Sequence, residues 1–417
     1  MLVSDVWYTR QYLERMIRGS TWEVKTEIPA QSCSEQAQVT VSPGTVRVAG
    51  VFFLVLLIGL EASCGGGSGG TQAVAPPAPT FTQIDAAGAS TASGYGTFGM
   101  QINASGETVG YYIDSNDVVH GFIRSSSGTI TAVDAPGAGT AANLGTRVMA
   151  INTSGEVTGY YADSNDILHS YIESSAGTLT EFDPPNSIGS DAFCINDNGD
   201  VAGGLLDAKG DHGFLRTANG TFSVIDPTGD PSQVRVVIPS QINASGAVAG
   251  FYTDTSTVFH GFLRDSTGTI TILDAPGAGT SAGEGTEFVD MNTGGVTVGG
   301  IAVGIINGVN TTHSLMRAAD GTYTVFDPPD AVSSFAESIN DNGIIAGEYR
   351  DANLVRHGYV RQADGTFVSF DEPNAAQVAA TNGNIGTAPR HINLSGAIVG
   401  FYSDSAGVRH GFIRQMN

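Results

Sequence analysis

Six histidines in this chain are each followed, fourteen residues later, by an aspartate: His120 and Asp134, His169 and Asp183, His212 and Asp226, His260 and Asp274, His313 and Asp327, His357 and Asp371. A seventh, His410, lies too near the C-terminus to have such a partner, and Asp85, ahead of the first copy, stands in the matching place. An imidazole beside a carboxylate can do acid–base work or ligate a metal. Repetition argues for a different use. A catalytic pair is needed once, and copies spread over an array of repeats cannot converge on one substrate, so the seven pairs read as structural. The eighth histidine, His391, falls outside the pattern.

A second group of polar residues lies about three to six residues before those histidines: Asp114, Asn116 and Asp117, then Asp163, Asn165 and Asp166, with shorter versions at Asp254 and Asp404. Hard oxygen donors on loops suit Ca²⁺, although the distal glutamate of an EF-hand is missing; a solvated turn is the simpler reading of them. Charged residues that occur in one repeat only would mark a ligand face, and Arg147, Arg235, Glu284, Glu287, Glu337, Arg390 and His391 are of this kind. The sequence contains no His-Glu-x-x-His, phosphate-binding loop or CxxC.

The elements that carry these residues recur with a period. A phrase of the form Ile-Asn-x-x-Gly begins at Ile102, Ile151, Ile195, Ile242, Met291, Ile339 and Ile392, at steps of 44 to 53 residues. That period signals a repeat architecture. Each copy holds four short segments rich in Val, Ile, Phe, Tyr and Thr between Gly, Asn, Asp and Ser; in the second copy they span roughly 147–152, 156–162, 168–174 and 178–183. The third and fourth form a hairpin around a turn such as Asp320-Gly321-Thr322, which sets His313 across from Asp327. Apolar residues occupy both of its faces, with Val133, Phe182 or Phe326 one before the Asp and Ile130, Leu179 or Tyr323 four before it. A sheet apolar on both sides must be covered on both sides, as a propeller blade is by its neighbours. The asparagine of each phrase reads as a turn cap, Cys194 as a small buried filler, and the aromatics at 111–112, 160–161 and 251–252 as packing.

The last copy ends after three strands, at His410-Gly411-Phe412-Ile413-Arg414, while Phe81-Thr82-Gln83-Ile84-Asp85 matches the missing fourth. The expected fold is therefore all-β: a seven-bladed β-propeller of four-stranded antiparallel blades, closed by the N-terminal strand completing the last blade.

Residues 1–64 differ in character. The apolar run from Val48 to Leu60 is too short to span a bilayer comfortably and suits a secretory segment. Ala62-Ser63-Cys64 and the Gly/Ser/Pro-rich stretch 65–80 that follows resemble a bacterial lipoprotein signal and tether, with Cys64 lipidated, though Glu61 departs from that motif. Plain secretion or an uncleaved anchor are the alternatives. The domain organisation is thus a leader over 1–64, a tether over 65–80 and the repeats over 81–417. Beyond Cys64 there are 13 Lys and Arg against 35 Asp and Glu, a net charge of −22 that repels phosphate backbones and makes nucleic acid an unsuitable partner.

Ile-Asn-x-x-Gly-x-Val-x-Gly-Tyr followed by His-Gly-Phe resembles the bacterial extracellular repeats of the HAF family. The tripeptide is intact at 120, 212, 260 and 410, reads His-Gly-Tyr at 357, and reads His-Ser-Tyr at 169 and His-Ser-Leu at 313. The resemblance implies a location outside the cytoplasm and carries no catalytic residues with it. The expectation is a monomeric, non-enzymatic, surface-tethered binding or scaffolding protein for a glycan or protein ligand, without an obligatory cofactor. The alternative is a hydrolase or lyase on the same scaffold.

Overall fold

The computed structural model describes residues 78–306, 309–378 and 385–416, so the expected leader, Cys64 and nearly all of the tether lie outside the described residues. Among the described residues there are 28 strands and one short 3-10 turn, and no helix long and apolar enough to cross a membrane. Pairing gathers the strands into antiparallel groups of four. Unit I holds β2 (Gly96–Ile102), β3 (Thr108–Ile113), β4 (Val119–Arg124) and β5 (Ile130–Val133). Unit II holds β6 (Gly145–Ile151), β7 (Val157–Ala162), β8 (Leu168–Glu173) and β9 (Leu179–Phe182). Unit III holds β10 (Gly189–Ile195), β11 (Val201–Asp207), β12 (Gly210–Arg216) and β13 (Phe222–Ile225). Unit IV holds β14 (Val234–Ile242), β15 (Val248–Asp254), β16 (Phe259–Arg264) and β17 (Ile270–Leu273). Unit V holds β18 (Gly285–Met291), β19 (Thr297–Ile306), β20 (Val309–Arg317) and β21 (Tyr323–Phe326). Unit VI holds β22 (Ser333–Ile339), β23 (Ile345–Arg350), β24 (Arg356–Arg361) and β25 (Phe367–Phe370).

Unit VII takes β26 (Gly386–Ile392), β27 (Ile398–Ser403) and β28 (Arg409–Gln415) from the C-terminal end, and β1 (Thr80–Ile84) from the other end of the described chain. Ile84 faces Gly411 in this ladder, as Val133 faces Gly121 in unit I, so β1 lies in the register of an ordinary fourth strand.

The core sits between units. Val109 and Val133 of unit I pack on Val148, Val157 and Tyr171 of unit II, and Val360 and Phe370 of unit VI on Ile398, Tyr402 and Phe412 of unit VII. Phe122, Tyr171, Phe214, Phe262, Tyr359 and Phe412 are fully buried third-strand aromatics. Each contributes roughly 1.5–3 kcal/mol by leaving water. An aromatic there must be matched by a small residue opposite, which explains the glycine of the second strand: a Cβ on Gly347 would stand 2.5 Å from the ring of Tyr359.

The asparagine of each Ile-Asn phrase serves two units. Its Oδ1 accepts backbone N–H groups of its own turn, as from Ser105 and Glu107 onto Asn103. Its Nδ2 reaches the next unit: Asn103 donates to Asn152 O, Asn152 to Asn196 O, Asn196 to Asn243 O, Asn292 to Asn340 O and Asn340 to Asn393 O. Asn393 then donates to Asn103 O at 2.9 Å. At one step the pattern lapses, and Asn243 has the thioether of Met291 at 4.0 Å instead.

Candidate functional site: the inner strands and the histidine row

All seven first strands carry a β-bulge at the same point, two residues before the Ile or Met of the phrase. A bulge leaves one residue unpaired and re-aims its side chain. Here the bulged residues are Met100, Met149, Phe193 and Val289 on one hand and Ser240, Glu337 and Arg390 on the other, and all of them line one central cavity of about 50 Å³. That volume holds a few water molecules and no sugar ring or peptide.

Except for Ala150 in unit II, the residue after the bulge joins neighbouring units. Gln101 Oε1 accepts from Ile151 N at 2.6 Å. Gln241 donates to Asp290 at 2.7 Å, and Asp290 accepts from Ser338 Oγ at 2.6 Å and Ile339 N at 2.9 Å. Ser338 accepts from Ile392 N at 3.2 Å, and His391 approaches Gln101 at 3.4 Å. Cys194 occupies the same position, buried, with its thiol near Pro239 O, and burial pushes that thiol far up. Enclosure by protein lowers the His391 imidazole below its ordinary value, against the pull of Asp290.

The singular charges converge only in part. Arg390 binds Glu337 at 2.5 Å and Glu348 at 3.4 Å, and Arg356 lies 3.3 Å from Glu348. All four are buried. Burial raises the Glu337 carboxyl above the usual range, and the Arg390 guanidinium draws it back. Glu287 is also buried, on the inner strand β18, and burial with the nearby Glu337 charge pushes its carboxyl up to about 8. Arg147 lies between the rings of Tyr111 and Tyr160, 5.6 and 5.5 Å from their centroids. Arg235 is not with them: it is exposed and donates to Thr255 O. Glu284 accepts from Ser281 N within its own link. Glu348 and Arg356 escaped the sequence reading because they sit on second and third strands, where the repeat pattern pointed to packing.

The histidine pairs form a row on another part of each unit. Nδ1 meets the expected aspartate at 2.9 Å in His120–Asp134, 2.8 Å in His169–Asp183, 2.5 Å in His212–Asp226, 2.9 Å in His260–Asp274, 2.8 Å in His313–Asp327, 2.9 Å in His357–Asp371 and 2.7 Å in His410–Asp85. Nε2 faces the aspartate of the preceding loop: Asp114 lies 3.8 Å from His120, Asp163 4.0 Å from His169 and Asp207 3.1 Å from His212. Tyr112, Tyr161, Tyr252, Tyr349 and Tyr402 stack on these imidazoles at about 5 Å, which places the second residue of each recurring aromatic pair on the row. Hydrogen bonds to Asp274 and Asp371 raise His260 and His357 above the ordinary histidine value. Burial works to depress His212, but Asp226 and Asp207 outweigh it and its pKa is raised as well.

The acidic loops are turns with their oxygens already engaged. Asp114 Oδ1 accepts from Asn116 N and Val118 N, and its Oδ2 from the Asn116 amide; Asp163 does the same with Asn165 and Ile167. Asp117 and Asp166 hold left-handed backbone, φ 65° and 62°, which Asp tolerates better than most residues. Among the described residues no three His, Cys, Asp or Glu side chains stand together as a metal site needs.

No family model and no curated protein matches the chain. Solved structures do. Virginiamycin B lyase from Staphylococcus aureus is 14% identical with TM-score 0.51, over 82% of this chain and 100% of that one. A streptogramin B lyase is 15% identical with TM-score 0.50, over 81% and 98%. The β-propeller domain of the trilobed protease from Pyrococcus furiosus is 8% identical with TM-score 0.48, over 78% and 96%. At these identities the likeness is one of fold: the chain is an all-β protein of the β-propeller type.

Proposed function

We propose that the chain is a seven-bladed propeller closed by β1, and that it works outside the cytoplasm as a non-enzymatic binding or scaffolding protein, tethered through a lipid on Cys64. Ring closure is supported by the β1–β28 ladder and by the Asn393–Asn103 hydrogen bond, which joins the last unit to the first. The location rests on the lipoprotein-like segment and on the resemblance to HAF repeats. One observation carries the binding role: Glu337 and Arg390, two of the charges that distinguish single units, are turned inward and paired beside a cavity of about 50 Å³, which leaves the exposed loops to meet a glycan or protein ligand. A net charge of −22 beyond Cys64 favours ligands that are neutral or cationic.

A thermal melt of the full chain against a panel of glycans, Ca²⁺ and EDTA tests this. A ligand at 100 times its dissociation constant adds about 2.7 kcal/mol to the folded state. A shift with one glycan supports the reading, and a shift with Ca²⁺ alone reassigns the acidic loops as cation sites. No shift with any ligand removes the glycan-binding reading and leaves a scaffold. A second reading, a lyase or hydrolase, has in its favour the raised Glu287 carboxyl and lowered His391 imidazole on the inner strands. The two comparison lyases make a streptogramin B the first compound to incubate with the protein, with a new product mass as the deciding result.

A further inference from the structure

Where units V, VI and VII meet, five buried ionisable side chains belong to one neighbourhood: Glu287, Glu337, Glu348, Arg356 and Arg390, none more than 7% exposed. Three carboxyls face two guanidiniums. The guanidiniums are shared between Glu337 and Glu348, through Arg390 and Arg356. Glu287 receives neither. It lies opposite Gly300, which offers no side chain, and its Oε2 has no hydrogen-bond partner. An ionised carboxylate cannot be held in such a place without compensation, and the ordinary outcome is that it keeps its proton.

We infer that Glu287 is carried as the neutral acid in the folded protein, and that its ionisation opposes the packing of unit V on unit VI, making this seam a proton-dependent lock. The other ionisable groups around β18 do not supply the missing cation. Asp290, on the same strand, is occupied by Ser338 and Gln241. On β14 the only charge is the exposed Arg235; β15 brings Asp254, which caps its own loop; β16 brings Arg264 and His260, the latter paired with Asp274; β19 brings none. From β22 comes Glu337, which repels, and His391 of β26 lies beside Asp290.

The sign is fixed by linkage. Between the ordinary glutamate value near 4.3 and about 8, the unfolded chain has lost this proton while the folded one keeps it, so stability falls as pH rises through that window. The unfolding constant grows about tenfold per pH unit from this group alone.

Urea unfolding of the full chain from pH 5 to 9, for the natural protein and for Glu287→Gln, isolates the effect from that of the histidines. The ratio of the two unfolding constants is expected to change about tenfold per pH unit and to level off near pH 8. Parallel pH profiles would overturn the inference. Infrared spectra give a second readout: a buried protonated carboxyl band present at pH 7 in the natural protein, lost near pH 8 and missing from Glu287→Gln supports it, and no such band at pH 7 sinks it.

Discussion

The seams between units are of two kinds. At the seams I–II, IV–V, VI–VII and VII–I, a first strand begins at a glycine (Gly145, Gly285, Gly386, Gly96) that pairs in parallel with the start of the preceding third strand. Gly145 has φ +117°, and a Cβ on it would stand 2.0 Å from Val119 O, so no other residue fits. The next residue is a threonine whose Oγ1 accepts the N–H of the residue after the histidine-row aspartate: Ala135 N to Thr146, Ala275 N to Thr286, Glu372 N to Thr387 and Ala86 N to Thr97. At II–III, III–IV and V–VI the residue after that aspartate is Pro184, Pro227 or Pro328, which has no N–H to give.

With the donor gone, the hydroxyl turns round. Ser190 donates to Asp183 at 2.7 Å and Ser334 to Asp327 at 2.7 Å, while Ser170 and Ser314 contact them from the preceding third strand at 2.7 Å each. At III–IV the position is Val237, and its N–H is taken by Asp211. The departures His-Ser-Tyr at 169 and His-Ser-Leu at 313 are therefore working parts of proline seams, each serine set against a serine of the next unit. At two of the three proline seams the missing backbone donor goes with a serine on each side.

The largest expected effect comes from breaking a glycine seam. Gly145→Val should cost more than about 3 kcal/mol by denaturant unfolding, since it forces both a backbone clash and a strained φ. Gly189→Ala, at the matching place of the II–III seam, meets its nearest atom at 3.2 Å with ordinary φ and should cost about 1 kcal/mol or less. Equal costs would mean that the two kinds of seam do not differ.

Next in size, Ser190→Ala should lose about 1–3 kcal/mol by leaving Asp183 and Ser170 short of a partner. Restoring the donor with Pro184→Ala together with Ser190→Thr should recover part of the combined loss, a coupling of about 0.5 kcal/mol or more in a double-mutant cycle. Strict additivity would refute the link between the proline and the hydroxyl.

The smallest effect belongs to the histidine row. His212 has a folded pKa raised above 6.5, so its contribution is complete below that pH and is lost as pH rises through the folded value. Unfolding of His212→Asn should accordingly depend less on pH between 6 and 8 than that of the natural protein. An unchanged slope would show that Asp207 and Asp226 do not hold a proton on this imidazole.

Much of this was legible in the sequence. The period, the four segments per copy and the fourteen-residue spacing follow from residue types whose neighbours along the chain determine them, and segments such as 168–174 and 156–162 agree with β8 and β7 to within a residue. The bulges were not legible, because a bulged position is defined by the strand opposite. Met100, Phe193, Ser240, Glu337 and Arg390 share only their distance from the Ile-Asn pair, and their diversity at that one place was the available signal. The pairing of Arg390 with Glu337, 53 residues apart, depends on two units meeting. The seam types could have been read from Asp-Pro against Asp-Ala or Asp-Glu, had the missing N–H been followed to its partner.

The two-sided use of the Ile-Asn asparagine bears on how such a chain can change over time. A substitution that removes an asparagine damages its own turn through Oδ1 and the adjoining unit through Nδ2, so one lesion is felt in two places. Drift in any copy is thereby held in check by the copy beside it, and inserting or deleting a whole repeat disturbs the amide contacts on both of its sides. The step from Asn243 to the Met291 thioether is the one place where that mutual restraint has slackened, and it is where a tolerated sequence change should first be looked for.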